Sequence, residues 1–336
     1  LWRGLIEAAL EDWNNAQTDL DRAGPVLHLY PKDWQARVRL ASAESALGRG
    51  HLEVADAALA RLPDDLPQPL MLDAQLQRAR LYAAEGRKDA APLFAAVEKS
   101  GDEREAARAV FYRINASLTD GSMQVPAAIN ELEKLRFRWR GDALEVKTLR
   151  KLSSLYFSKR HWREGLRTLR IAANSFPNDD LARQAQDDMR GAFVNLFLRG
   201  QADKIPPVEA LSLFYDNIEL TPIGPDGDEM IRRMADRLVA VDLLGPAADL
   251  LKYQVEKRLD GVARAQVATT LAGIYLLDKK PELALDTIRN TQVSGLPDDV
   301  GHKRMLIEAR ALAGLKRWTD ALDMVSMDQQ ADTARL

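Results

Sequence analysis

The residue types that most often carry catalysis or bind metals are sparse in this chain, and histidine is the first of them to consider. A metal site on a helix places two histidines four residues apart, and a metalloprotease places them in an HExxH sequence. Neither spacing occurs here. We therefore expect the histidines to be structural or solvent-exposed. The chain has four, which lie far apart in the sequence: His28, His51, His161 and His302.

One acidic group, Asp226, Asp228 and Glu229, has the residue type that binds calcium. It lacks the alternating oxygen ligands and the closing Glu of a calcium-binding helix–loop–helix. Acidic side chains are also favoured in the first turn of a helix, where they accept hydrogen bonds from free N–H groups and interact with the helix dipole. We predict that Asp228 caps a helix that begins near Glu229.

Other catalytic and cofactor motifs are missing from the sequence of 336 residues. There is no cysteine, which excludes disulfides, thiolate metal sites and cysteine nucleophiles. No phosphate-binding glycine loop or nucleophile elbow is present, and no strand pattern could position one. No run of about 18 apolar residues is present either, so we expect no membrane span. The sequence predicts a protein without catalytic residues, cofactors or metals.

The elements that would position any functional side chain are helices, and they repeat. The clearest unit covers residues 146–179, with Pro177 closing it. Two stretches with helical spacing are joined there by a short polar turn, so the two helices lie antiparallel and bury their facing sides. The positions with this spacing are Leu149, Leu152, Ser153 and Tyr156 on the first helix, and Trp162, Gly165, Leu169 and Ala172 on the second.

This unit resembles the tetratricopeptide repeat. It shares the order of a large residue, Leu, a small residue and Tyr on the first helix, and an aromatic, a small residue and Ala on the second. Other segments repeat the arrangement, for example from Leu271 to Ile288 and from Ala309 to Val325, and weaker copies cover Tyr112 to Leu135 and Met230 to Val255, so the resemblance spans nearly the whole chain. The resemblance implies an all-α fold, a right-handed α-solenoid of about eight antiparallel helix pairs. Each repeat of a solenoid contacts only its neighbours, so we expect side chains several repeats apart not to meet.

The segment LRFRWRGD and others like it resemble long tetratricopeptide proteins of alphaproteobacteria. The sequence starts at Leu1 without Met and ends at Leu336 in helix-forming sequence. From this we expect a piece of a longer protein, with any targeting signal outside it. The compartment, cytoplasmic or periplasmic, is left open.

Two segments interrupt the repeat pattern. Residues 200–208 contain two consecutive prolines, Pro206 and Pro207, and residues 216–228 carry Gly and Pro without a helical period. We predict a short helix at about 208–215 between them.

These interruptions divide the chain into three parts. We predict an N-terminal lobe of repeats at 1–199, an irregular joint at 200–228 and a C-terminal lobe of repeats at 229–336. The segment 216–228 is either the long loop of an irregular repeat or an insert that folds over the solenoid or docks another chain.

Positive charge is concentrated in residues 134–170. This segment has twelve basic and three acidic residues, whereas the whole chain has a net charge of −3. Such a block attracts acidic partners. Two interpretations remain open: the basic side chains cover helix surfaces and pair with acids of adjacent repeats, or some of them bind a partner. Nucleic acid is disfavoured because the chain as a whole is slightly acidic, although Phe137 and Trp139 lie among arginines.

The resemblance also implies where a partner would bind. In tetratricopeptide repeats the first helix of each pair lines a concave groove, and some members grip a C-terminal carboxylate there with Lys, Arg and Asn. In this chain Ser117 stands where the Asn is expected. The predicted partner-binding residues are Arg113, Ser117, Lys147, Arg150, Lys151, Ser154 and Phe157.

We therefore expect a non-enzymatic interaction scaffold that binds a protein or peptide segment in its groove. The basic face favours an acidic segment. The alternative is a structural role, in which the chain spaces the domains of a larger protein or self-associates through an end of the solenoid.

Overall fold

The computed structural model of the protein describes residues 1–175 and 180–326, most of which are α-helical. The chain divides into two compact units, Leu1–Gln186 (unit 1) and Asp187–Leu336 (unit 2). Among the described residues no strand is formed, and no helix combines the length and the apolar content needed to cross a bilayer. Pro177, the predicted end of one helix pair, lies outside these residues.

In unit 1 the described helices form five consecutive pairs. They are α1 (Trp2–Ala9) with α2 (Trp13–Ala23), α3 (Lys32–Gly48) with α4 (Leu52–Ala60), α5 (Gln68–Ala84) with α6 (Ala90–Glu98), α7 (Glu103–Thr119) with α8 (Val125–Arg138), and α9 (Ala143–Ser158) with α10 (Trp162–Ser175).

The boundary between the units falls inside α11 (Asp180–Phe197). The rest of unit 2, as far as residue 326, forms a short helix and three pairs. These are α12 (Pro207–Tyr215), α13 (Pro225–Ala240) with α14 (Leu244–Lys257), α15 (Gly261–Leu277) with α16 (Pro281–Arg289), and α17 (Asp298–Gly314) with α18 (Trp318–Ser326).

The pairs pack in one recurring way. In unit 1 the first helix of a pair contacts its second helix, and that second helix contacts the first helix of the next pair. First helices also contact each other, α1 with α3, α3 with α5 and α5 with α7; in unit 2, α15 contacts α17 in the same way. This is the stacking of a helical-repeat solenoid. The predicted all-α fold of about eight antiparallel helix pairs is confirmed.

One left-handed residue ends the first helix in every one of these eight pairs. In seven of them the N–H of the following residue donates to the carbonyl oxygen five positions before it, which is the Schellman arrangement that closes a helix. Glycine adopts a positive φ without steric cost, but only three of the eight are glycine. The eight residues are Glu11, Gly50, Gly86, Gly121, Arg160, Asp242, Lys279 and Lys316.

Small residues allow the helices to approach closely. Ala36, Ala43 and Ala55 are completely buried where α3 and α4 pack together. The indole ring of Trp13 covers Gly48, where a Cβ atom would lie 2.7 Å from the ring. Because the packing leaves no space for a methyl group at such positions, the sequence must keep Ala or Gly there.

The region 200–228 has more regular structure than the sequence pattern indicates. The predicted short helix is α12, and α13 already begins at Pro225 with Gly224 as its N-cap. The prediction that Asp228 caps a helix beginning at the next residue is wrong, because proline fits the first helical position and starts the helix earlier. Asp228 is instead buried in the first turn of α13 and forms an ion pair with Arg258 at 2.9 Å.

The loop before α13 contacts other residues of unit 2. Arg258, the C-cap residue of α14, donates a hydrogen bond to the carbonyl oxygen of Pro222 at 2.8 Å. Gly227 lies so close to this loop that a Cβ atom would be 1.9 Å from the same oxygen. The assignment of 200–228 as a joint between lobes at 1–199 and 229–336 stays a prediction.

Candidate functional site

The first helices of unit 1 enclose a groove with a cavity of about 540 Å³. Residues of α1, α3, α5, α7 and α9 or just outside their ends contribute to its lining. Along each helix the lining residues recur every three or four positions, such as Arg37, Ala41 and Glu44 on α3, which places them on one face. The groove is therefore the surface that the stacking of first helices produces.

Arg108 of α7 lies at the centre of a charged network in this groove. Its guanidinium contacts Glu105 on its own helix at 2.9 Å, Asp73 of α5 at 3.1 Å and Glu44 of α3 at 3.4 Å. One arginine thereby ties three successive first helices together through carboxylates. All four side chains are at most about one quarter exposed, so water screens these ion pairs less than it would on an open surface.

Arg80 of α5 completes the network. It forms an ion pair with Glu44 at 3.1 Å and donates a hydrogen bond to Gln77 at 2.8 Å. Its guanidinium also lies 3.9 Å from the ring centroid of Tyr112, a cation–π contact. Glu44 is therefore held by two arginines, Arg80 and Arg108.

The network moves the pKa values of its acids in opposite directions. Burial acts to raise the pKa of Glu44, but Arg108, Arg80 and Lys147 together outweigh it and hold that pKa below its ordinary value. For Glu105 burial dominates, and the charge of Asp73 adds to it, so its pKa lies above its ordinary value in spite of Arg108. The pKa of Arg108 is raised, since the surrounding carboxylates outweigh its burial. Arg108 is thus a permanent cation.

Lys147 of α9 forms an ion pair with Glu11, the left-handed residue between α1 and α2. The first and the fifth pair of unit 1 therefore meet across the groove. The expectation that side chains several repeats apart do not meet is wrong within this unit. The stacking of the pairs curves strongly enough to bring the turn after α1 to α9, with three pairs between them in the sequence.

Aromatic side chains form another part of the wall. Trp2 and Trp34 contact edge to face, with ring centroids 4.5 Å apart, and the guanidinium of Arg37 lies 5.7 Å from the Trp34 ring. Trp2 is 62% exposed, so much of its apolar surface is open to solvent. Such a wall can pack against an apolar side chain and offer a cation beside it.

The charged side chains that line the groove differ in whether they have a partner. Asp142 accepts hydrogen bonds from the Leu144 N–H and the Trp139 indole at 2.9 Å each, which makes it a helix cap. The other four carboxylates in the lining, those of Glu11, Glu44, Asp73 and Glu105, form ion pairs. Arg37 and Arg104 are exposed and have no ion-pair partner among the described residues. The free charge of the groove is positive.

Of the predicted partner-binding residues, Lys147 lines this cavity. Arg113 is located elsewhere on α7, where it donates to Glu98 at 2.6 Å and to Glu131 at 2.7 Å. These acids belong to the second helices α6 and α8, so Arg113 links neighbouring repeats. Ser117 lies at the end of α7, and its carbonyl oxygen accepts the Met123 N–H at 2.9 Å.

The other predicted residues lie along α9. Lys151 and Ser154 continue the helical face of Lys147 beyond the cavity, and burial lowers the pKa of the Lys151 ammonium. Arg150 donates a hydrogen bond to Gln184 of α11 at 2.6 Å. Phe157 packs against the second helix of its own pair, with its ring centroid 5.5 Å from that of Trp162. A role of these residues in binding a partner stays a prediction.

Sequence reasoning missed most of the groove. Its charged residues are balanced in sign, so no excess of charge marks them. The spacing could have revealed them: Asp73 and Arg108 are 35 residues apart, and Glu44 and Arg80 are 36 residues apart, close to one repeat. Oppositely charged residues one repeat apart on first helices are positioned to form ion pairs between neighbouring repeats.

The described residues contain no group of three or more His, Asp or Glu side chains that could hold a metal ion. No protein-family model matches the sequence, and no curated protein matches it. Among solved structures the chain is similar to the apo form of RapI, with 12% identity, coverage of 87% of each chain and a TM-score of 0.40.

It is also similar to the apo form of the quorum sensor NprR from B. thuringiensis, with 13% identity, coverage of 96% of this chain and 97% of that chain, and a TM-score of 0.39. For NprR in complex with its cognate peptide NprX the identity is 11%, the coverage 97% and 89%, and the TM-score 0.25. At these scores none of the similarities assigns a function to this chain.

Proposed function

We propose that the chain is a non-enzymatic interaction scaffold and that the groove of unit 1 binds a segment of a protein or peptide partner through an acidic group. The observation that supports this most directly is the state of the groove charges. The carboxylates in its lining are engaged by cations or by a helix N-terminus, whereas Arg37 and Arg104 are exposed and form no ion pair with any residue that the structure describes. A carboxylate of the partner would supply the missing anion.

The aromatic wall supports a peptide as the ligand. Trp2 and Trp34 lie beside Arg37, so an apolar side chain and an acidic group of one segment can be held together. The lining of the groove also contains five carboxylates, which would repel a polyanion along its length. The groove therefore fits a peptide with isolated acidic groups better than it fits nucleic acid.

Binding of a defined probe tests this proposal. We would use a fluorescein-labelled peptide of about ten residues with alternating Glu and Leu, and measure its anisotropy with the full chain at roughly 50 and 300 mM NaCl. The double variant Arg37→Glu/Arg104→Glu is expected to weaken binding by about tenfold or more and to reduce its salt dependence. Both side chains are exposed, so the fold should tolerate the change.

A matched control is Lys134→Glu/Arg138→Glu on α8, which makes the same change of charge at exposed residues outside the groove. It should leave the affinity unchanged. A probe with Gln in place of Glu should bind weakly to all three proteins. Equal loss of affinity in both double variants, or no saturable binding of the acidic probe, would reject the groove of unit 1 as a site for acidic segments.

A specific observation favours self-association as a second candidate function. Three apolar side chains spaced four residues apart on and just after α1 are exposed: Trp2 by 62%, Ile6 by 58% and Leu10 by 66%. Together they present a narrow apolar stripe that a second copy could cover. Sedimentation velocity over a range of concentrations tests this. If the stripe mediates association, Ile6→Glu/Leu10→Glu will remove any concentration-dependent increase in mass.

A further inference from the structure

Unit 2 has its own groove, with chemistry different from that of unit 1. A cavity of about 980 Å³ lies along its first helices α13, α15 and α17. Its surface is mainly apolar: Val239, Leu306 and Ile307 are half-buried, and Leu277 is 62% exposed. Gly273 adds room, because a Cβ atom there would meet only the Cδ1 atom of Ile307, at 3.9 Å. Open apolar surface of this kind marks an interaction site.

Three cations surround this apolar surface. Lys279, Lys303 and Arg310 belong to the lining, are exposed and have no ion-pair partner among the described residues. The lining residues that the structure describes include one carboxylate, Asp236. The groove therefore combines an apolar floor with an excess of unpaired positive charge.

The order of residues on α17 indicates how the charged and apolar groups of a matching partner would be spaced. Lys303, Ile307 and Arg310 follow the spacing of one helical face, so the apolar side chain lies between the two cations. Seven residues span about 10 Å along a helix. A partner with two carboxylates about two helical turns apart, and apolar side chains between them, would match this face.

The conformation of the partner follows from hydrogen bonding. The uncharged polar side chains in the lining are those of Thr269 and Thr270, so the floor offers few side-chain groups that could form hydrogen bonds with the backbone of a partner. An extended chain would bring unpaired backbone N–H and C=O groups against the apolar floor, which is costly. An α-helix satisfies these groups within itself and presents only side chains.

We infer that the groove of unit 2 is a docking site for an amphipathic α-helix of a partner protein, with an apolar stripe flanked by Asp or Glu. The apolar stripe covers Leu277, Leu306 and Ile307, and the acidic flanks pair with Lys279, Lys303 and Arg310. This site is independent of the groove proposed for unit 1. The chain would thus carry two binding sites, one for a segment with isolated acidic groups and one for an acidic amphipathic helix.

The test uses the full chain and a labelled helical peptide of about 18 residues, with Leu at i, i+3, i+4 and i+7 and Glu on both flanks. Two control peptides carry Lys in place of Glu, or a central Pro that breaks the helix. We expect saturable binding of the acidic helix, with affinity at least about tenfold lower for both controls. Circular dichroism of the complex should show a gain of helix.

Protein variants locate the site. Lys303→Glu/Arg310→Glu is expected to weaken binding of the acidic helix about tenfold and to favour the Lys-flanked peptide. The matched control, Lys204→Glu/Lys257→Glu, changes the same charge at exposed residues of unit 2 outside the cavity and should have no effect. Gly273→Leu, which fills the floor, should also weaken binding while leaving the charges intact.

Several outcomes would overturn the inference. Equal binding of the acidic and basic helices, equal binding of the Pro-containing peptide, or an unchanged affinity in Lys303→Glu/Arg310→Glu would each do so. If a small apolar dye displaces the peptide, and the charges of the peptide and of the groove have no effect on binding, the cavity is a small-molecule pocket instead. Arg37→Glu/Arg104→Glu should not affect this binding, so failure of the unit 1 proposal and failure of this one are distinguishable.

Discussion

Lys147 of α9 forms an ion pair with Glu11 at the turn after α1, and this pair joins the first and the fifth helix pair of unit 1. Three pairs lie between them in the sequence. Both residues line the groove, so the ion pair links its two ends across the three intervening pairs. Its side chains are 21% and 28% exposed, which makes it more than a surface ion pair.

Reversing one charge of this pair should destabilise unit 1. In Lys147→Glu two carboxylates oppose each other, and Glu44 nearby also loses a favourable cation. We expect the free energy of unfolding to fall by about 1–2 kcal/mol. Urea unfolding followed by circular dichroism and tryptophan fluorescence measures this.

The double variant Glu11→Lys/Lys147→Glu restores opposite charges and should recover most of the loss. Lys134→Glu, at an exposed position of α8, is the matched control and should change stability by less than about 0.5 kcal/mol. An equally unstable double variant would mean that Lys147 stabilises the unit without its contact to Glu11.

The opposite pKa shifts of Glu44 and Glu105 predict opposite responses to pH. The pKa of Glu44 is lowered in the fold, so its stabilising contribution is present above its unfolded pKa and is lost as pH falls through its folded pKa. Glu44→Gln should therefore be less stable than the parent at pH 7, by about 1–3 kcal/mol, and the difference should vanish in acid. Urea midpoints measured from about pH 7 down to about pH 3 follow this.

The pKa of Glu105 is raised, so the fold favours its protonated form. Its contribution is fully present below its unfolded pKa and is lost as pH rises through its folded pKa. Glu105→Gln, which imitates the protonated form, should be no less stable than the parent at pH 7, and any gain should vanish in acid. If both variants are destabilised at pH 7 to the same extent, the pKa values of Glu44 and Glu105 are not shifted in opposite directions.

Positions with a left-handed backbone between the helices of a pair are the places where substitution by glycine should stabilise the protein. Arg160 has a φ of 61° and is exposed at the turn between α9 and α10. Arg160→Gly removes the steric cost of this conformation and should raise the free energy of unfolding by about 1 kcal/mol. Gly86→Ala, at the corresponding position with φ of 72°, should lower it by a similar amount. Thermal unfolding of the two variants should shift in opposite directions, and a parallel shift would contradict the assignment.

At Gly165 a larger side chain is expected to lower the free energy of unfolding, because this glycine lies at a close contact between two helices. A Cβ atom there would lie 2.3 Å from Cε1 of Phe157, so the aromatic ring must move. We expect Gly165→Ala to cost about 1–3 kcal/mol in urea unfolding. Gly191→Ala is the control: it lies within α11 with no atom near a new Cβ, and should stabilise by about 0.5–1 kcal/mol. Adding Phe157→Leu to Gly165→Ala should recover part of the loss.

The helix pairs could be predicted from the sequence because their signal is local. Leu149, Leu152 and Tyr156 mark one helical face, and the short turn before Trp162 requires an antiparallel partner. The start of α13 was not found, because Pro225 and Gly227 look like helix breakers although proline is favoured in the first turn.

The groove could not be predicted in the same way, because it depends on how tightly successive pairs curve. Nothing local in the sequence indicates that Glu11 approaches Lys147, or that Arg108 serves three helices. The excess of positive charge at 134–170 includes Arg150, and the tetratricopeptide pattern adds Arg113, but both side chains contact neighbouring repeats outside the cavity lining. Balanced charges inside the groove leave no such excess.

Two of the five left-handed residues that are not glycine, Glu11 and Lys279, line the grooves of units 1 and 2 respectively. A glycine at either position would relax the backbone but would remove a carboxylate or an ammonium group from the lining of a groove proposed to bind a partner. Arg160, Asp242 and Lys316 lie outside the lining of both grooves. An engineer who wishes to make the protein more heat-resistant has three turns outside both grooves at which to do so, and two at which thermal tolerance would be gained at the expense of the proposed binding.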